Sequence, residues 1–173
     1  MKKGLNFFLW LLVIPILILN SCNYQKENHM IFGKLENGDN VYKYLLKNNT
    51  CQVELITYGG IITSIKVPDL NNNLIDIVLG FNNLESYLEG HPYFGAIVGR
   101  FANRIDNGSF SINKVDYNLA LNNNGTSLHG GLKGFDKVNW NVVSYDSINY
   151  SYIKLNYLSR HMEEGYPGNL NIY

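Results

Sequence analysis

The chain has 173 residues, 46% of them hydrophobic and 16% charged, which is the size and composition of one globular domain able to bury a core. Fourteen basic residues balance fourteen acidic ones, so there is no basic footprint for nucleic acid. Two cysteines are too few for a disulfide framework.

Met1 to Ser21 has the build of a secretory signal: Lys2 and Lys3, an apolar run from Leu5 to Leu19 broken only by Asn6 and Pro15, then the small Ser21. The run is short for a membrane-spanning helix. Leu19-Asn-Ser-Cys22 resembles a bacterial lipobox, in which the cysteine becomes the lipidated N-terminus, although Asn20 is a less usual choice at its position. The expectation is a signal over residues 1–21, lipidation at Cys22, a polar tether over 22–29, and a domain from residue 30 onward on a bacterial envelope surface. Without the signal, 12 basic residues face 14 acidic ones, a net charge of −2. Cys51 would then have no partner in the chain.

From there the sequence is written in strands. Val41 to Leu46, Gln52 to Thr57, Ile61 to Val67 and Leu74 to Leu79 are β-branched or aromatic runs. Tyr58-Gly-Gly60 and Pro68 to Asn73 are turn-forming links between them. This predicts an antiparallel meander, with Cys51, Val53 and Leu55 on one strand face. Leu84 to Leu88 predicts one helical turn. Ala96, Ile97 and Val98 are expected to be buried. Ser109 to Leu119 predicts a small hairpin about Asn113-Lys114, and Asn139 to Tyr145 and Tyr150 to Leu158 predict two strands joined at Asp146 to Asn149. Asn169 to Tyr173 begins a further strand. The Asn-x-Ser/Thr triplets at Asn48, Asn107, Asn124 and Asn149 read as turn residues.

Two stretches carry chemistry. Asn122 to Asp136 sets His129 against Gly130 and Gly131, whose missing Cβ atoms let backbone approach a ligand closely. Some twenty residues upstream, Asn103 and Arg104 place an amide beside a guanidinium. Such a pair can hold vicinal hydroxyls, as on a sugar. No His-x-His or His-Glu-x-x-His pattern includes His29, His91 or His161, so no metal site is expected.

Together, Tyr93-Phe-Gly-Ala-Ile-Val-Gly-Arg-Phe-Ala-Asn-Arg-Ile105, Asn124-Gly-Thr-Ser-Leu-His-Gly-Gly131, Gly134-Phe-Asp136 and Glu163-Glu-Gly-Tyr-Pro-Gly168 resemble the N-terminal half of an aldose 1-epimerase, or galactose mutarotase. The resemblance implies an all-β fold, an antiparallel β-sandwich of the galactose mutarotase type (a supersandwich), here truncated, with an aldose such as galactose or glucose in a cleft. It implies that Asn103 and Arg104 bind ring hydroxyls and that His129 bonds the sugar near its reacting end. It also implies a general acid, a histidine in an Asn-His-x-Tyr-Phe-Asn motif, and a general base, a glutamate, both expected beyond Tyr173. No catalytic residue is therefore assigned within the chain, His129 being a supporting group. No cofactor is required, although some relatives hold a structural calcium or sodium ion, and a monomer is expected. The rival expectation is a non-catalytic sugar-binding surface lipoprotein. Arg100 is expected to pair with a carboxylate inside the fold. Glu163 and Glu164 are read as turn residues, in a stretch where Ser159-Arg160-His161-Met162 departs from the family's usual Ser-Pro-Asp-Gly.

Overall fold

A computed structural model describes residues 29–147 and 151–173. The signal-like run, the Cys22 lipobox, most of the proposed tether and the centre of the link before Ser151 lie outside them.

The alternating runs of the first third pair as expected. Strands β1 (His29–Lys34), β2 (Asn40–Lys47), β3 (Gln52–Ile56), β4 (Ile62–Pro68) and β5 (Leu74–Asp76) form a five-stranded antiparallel meander in sequence order. Two boundaries differ from expectation. His29 begins β1 instead of ending a tether, its ring stacked on Tyr44 with centroids 5.0 Å apart. Strand β5 stops at Asp76, whose carboxylate accepts from the backbone of Ile65 and Val78 and so turns the chain.

Helix α1 (Leu84–Leu88) starts at Asn83, whose side chain accepts from the Ser86 amide at 2.9 Å and satisfies an otherwise orphaned donor. The cap turns Leu84 and Tyr87 inward, where they join Val41, Ile56, Tyr58 and Ile61 in the first core cluster. Ala96 and Ile97 lie between this cluster and a second one built on Phe135, Val138 and Trp140. Residues 96 to 98 are half-buried, not buried as expected, because the segment runs along the clusters outside any sheet, its one backbone bond to the meander among the described residues being from the Ile97 amide to the Gly59 carbonyl.

The second sheet comprises β10 (Asn141–Asp146), β11 (Tyr152–Ser159) and β12 (Leu170–Ile172), all antiparallel. It is joined to the meander through the Tyr58-Gly59-Gly60 turn: the Gly59 amide donates to the Val138 carbonyl at 2.7 Å, and the Trp140 amide to the Thr57 carbonyl at 2.8 Å. Tyr145 from β10 packs edge-on against Tyr44, and its hydroxyl donates to the Leu45 carbonyl. The expected hairpin is present as β7 (Ser109–Ile112) and β8 (Val115–Asn118). A two-stranded ribbon not foreseen from sequence, β6 (Arg104–Asp106) with β9 (Thr126–Leu128), carries the candidate site.

Candidate sugar-binding site

The β6–β9 ribbon pairs Arg104 with Leu128, so the residues next to them, Asn103 and His129, are brought face to face. They bond reciprocally. The His129 amide donates to the Asn103 carbonyl at 2.9 Å, and the Asn103 amide donates to His129 Nδ1 at 3.0 Å. Both residues have positive φ, 69° and 52°. This bonding pattern assigns the imidazole: with Nδ1 accepting, a neutral ring carries its proton on Nε2, which becomes a hydrogen-bond donor fixed by backbone. The Tyr93 ring meets the imidazole edge-on with centroids 4.5 Å apart, limiting its rotation.

Arg104 is held on two sides. Its Nε donates to Asn123 Oδ1 at 3.0 Å and its Nη1 to Asn103 Oδ1 at 3.1 Å. The guanidinium plane is thereby fixed while the residue stays exposed, so remaining donors of the fork face outward for a ligand with paired oxygens. Structure thus brings all three candidate binding residues, Asn103, Arg104 and His129, into one cluster.

The turn after His129 is tightly enclosed. A Cβ on Gly130 would lie 1.7 Å from the Gly99 carbonyl oxygen, and one on Gly131 would lie 2.3 Å from Glu164 Oε2; both have positive φ. Only glycine fits. Asn122, which sequence reading placed in the stretch without a role, spans the turn: its side-chain nitrogen donates to the carbonyls of Leu128 and Gly131, and its oxygen accepts from the Leu128 amide.

Arg100 corrects an expectation. Among the described residues it has no carboxylate partner; its donors go to Ser159 Oγ and to the carbonyls of Ser159, Arg160 and Pro167, between 2.7 and 3.0 Å. The loop joining β11 to β12 presents these carbonyls inward, and a five-donor fork satisfies several of them at once. Glu163 and Glu164 occupy that loop as turn residues. Glu163 accepts from the Tyr157 hydroxyl and the Arg160 amide, and Glu164 from the Leu132 amide. The Tyr157 hydroxyl is pushed well above the usual phenol range by burial and by the Glu163 carboxylate.

Beneath the site, Asp136 is 1% exposed, bonded to Lys137 Nζ and 3.9 Å from His91 Nε2. His91 Nδ1 accepts from the Tyr93 amide at 3.1 Å, linking this buried pair to the residue that packs on His129. Burial lowers the His91 pKa below its ordinary value, against the opposing pull of Asp136. Among the described residues, no group of three His, Cys, Asp or Glu is placed to hold a metal ion.

The antiparallel all-β fold thus gathers an amide, a guanidinium and an imidazole on one ribbon. The aldose 1-epimerase family model matches residues 42–172, and the chain belongs to that family. It is 44% identical to the galactose mutarotase of Sus scrofa over 145 residues, which is 83% of this chain and 41% of that protein. It is 32% identical to the aldose 1-epimerase of Streptococcus thermophilus over 144 residues, 82% of this chain and 41% of that one. A solved GalM/aldose epimerase homologue from C. elegans superposes with a TM-score of 0.70 at 26% identity, covering 75% of this chain and 39% of that one. The galactose 1-epimerase of Lactobacillus acidophilus NCFM gives the same TM-score at 25% identity, with 83% and 42% covered. The chain therefore spans about two fifths of the length of the relatives it matches.

Proposed function

We propose that this chain supplies the sugar-orienting part of an aldose 1-epimerase site, serving the interconversion of α and β anomers of aldoses such as galactose and glucose. Mutarotation removes the proton of the anomeric hydroxyl, protonates the ring oxygen, lets the aldehyde rotate and recloses the ring. Acid and base act on different oxygens, each within hydrogen-bond reach of its own. One imidazole in one protonation state cannot serve both, so His129 is a supporting donor, and Asn103 and Arg104 hold ring hydroxyls. The observation that carries this reading is the reciprocal Asn103–His129 pair, which fixes an Nε2 donor beside the Arg104 fork.

The test is a galactose titration of the 173-residue chain followed through its backbone amide resonances. Saturable shifts in the parent that disappear in His129→Ala and Arg104→Ala are expected. Shifts that survive both substitutions would place the sugar elsewhere. The rival role, a binding protein without turnover, predicts the same titration and is separated from the first by activity.

A further inference from the structure

The loop between β11 and β12 reaches both halves of the candidate site from a distance in sequence. Arg100, three residues before Asn103, is bonded to its two ends at Ser159 and Pro167. Within it, the Met162 amide donates to the Tyr166 carbonyl, and Glu163 accepts from the Arg160 amide. The loop is thus anchored before it presents Glu164.

Glu164 Oε2 then accepts from the Leu132 amide at 2.7 Å, across 32 positions of sequence. The carboxylate fits there because Gly131 has no Cβ; one would stand 2.3 Å away. The His129-Gly130-Gly131-Leu132 turn is consequently held at its start by Asn103, across its span by Asn122, and at Leu132 by Glu164.

We infer that Glu164 is a positioning residue for His129: its carboxylate ties the His129 turn to the anchored loop and so fixes where the imidazole donor points. The inference rests on the reading of His129 as a sugar contact, and its stereochemical part stands apart from that reading. A hydrogen bond to a charged acceptor is stronger than one between neutral groups. A ligand contact displaced by about 1 Å loses its orienting value.

The experiment compares E164A, E164Q and E164D in the 173-residue chain, reading His129 ring resonances without sugar, galactose affinity and thermal midpoint. Glutamine keeps an oxygen acceptor for the Leu132 amide, alanine removes it, and aspartate retains charge but withdraws the oxygen by one methylene. E164A is expected to shift the His129 ring resonances and to weaken galactose binding roughly tenfold, with E164Q close to the parent. E164D should resemble E164A, and it carries the test if E164A does not fold. Unchanged His129 resonances in E164A or E164D would overturn the inference, as would an E164Q as damaged as E164A. A parent that binds no galactose would instead sink the sugar reading, while the ring resonances still decide the positioning of His129.

Discussion

Arg104 acts through geometry as much as charge. Two of its donors are spent on Asn123 and Asn103, which holds the plane that a sugar would meet. Arg104→Ala should weaken galactose binding by about tenfold, since a charge-assisted hydrogen bond contributes roughly 1.5 to 3 kcal/mol. Lysine should rescue it in part, because it restores charge without the fork. Calorimetric titration reads the difference, and affinities equal to the parent in both variants would remove Arg104 from the site. A second residue-level consequence concerns acid. His91 is buried against Tyr87, Tyr93, Asp136 and Lys137, with its folded pKa below the ordinary 6.5. The unfolded chain therefore binds the proton more readily, and the stability present above about pH 6.5 is lost as pH falls below that value through the lower folded one. Thermal midpoints should drop on acidification in the parent and less steeply in His91→Asn, which keeps an acceptor for the Tyr93 amide. Parallel profiles would show that His91 is not the sensor.

At the scale of elements, the interlocked loops replace regular pairing around the site. Arg100 joins the segment before β6 to both ends of the β11–β12 loop by four hydrogen bonds. Arg100→Lys, retaining charge but not the fork, should cost about 2 kcal/mol in urea unfolding, because part-buried carbonyls of Ser159 and Pro167 lose partners. A change below about 0.5 kcal/mol, the range of ordinary surface substitutions, would mean that the loop is held by other means. Such links mark the limit of what sequence discloses. The meander, α1, the β7–β8 hairpin and the strands about residue 147 were legible, since alternation and turn chemistry are local. The β6–β9 ribbon was not, because three-residue strands carry too few alternations and their pairing spans some twenty residues. His129 and Arg104 were singled out as candidates from their residue types and neighbours, and the ribbon brings them together. Arg100 was assigned a carboxylate because the direction of the loop carbonyls is set only by the fold, and the Glu164 to Leu132 bond leaves no periodic trace.

In the whole molecule, the two core clusters sit on either side of the Tyr58-Gly59-Gly60 turn, and the site stands on the ribbon beyond them. A cavity of about 600 Å³ adjoins Arg104, walled by Phe101, Ile105, Phe110, Ile112 and Tyr166. It leaves Arg104 open to water, which competes for its hydrogen bonds. At the other end of the chain, we propose that Cys22 is lipidated and that the domain is tethered to a membrane surface. No described helix is long and apolar enough to cross one, and acyl chains contribute about 0.8 kcal/mol per buried CH₂. Intact-mass measurement of membrane-fraction protein should show an acylated chain beginning at Cys22. An unmodified chain retaining Met1 would contradict this.

We propose that these 173 residues orient an aldose without supplying both the acid and the base that turn it over. Polarimetry of freshly dissolved α-glucose near neutral pH tests it most directly, with the chain shown to be folded by near-ultraviolet dichroism. Optical rotation is expected to decay at the buffer rate at every protein concentration. An acceleration proportional to protein and abolished by His129→Ala would contradict it, placing a working acid and base within this chain.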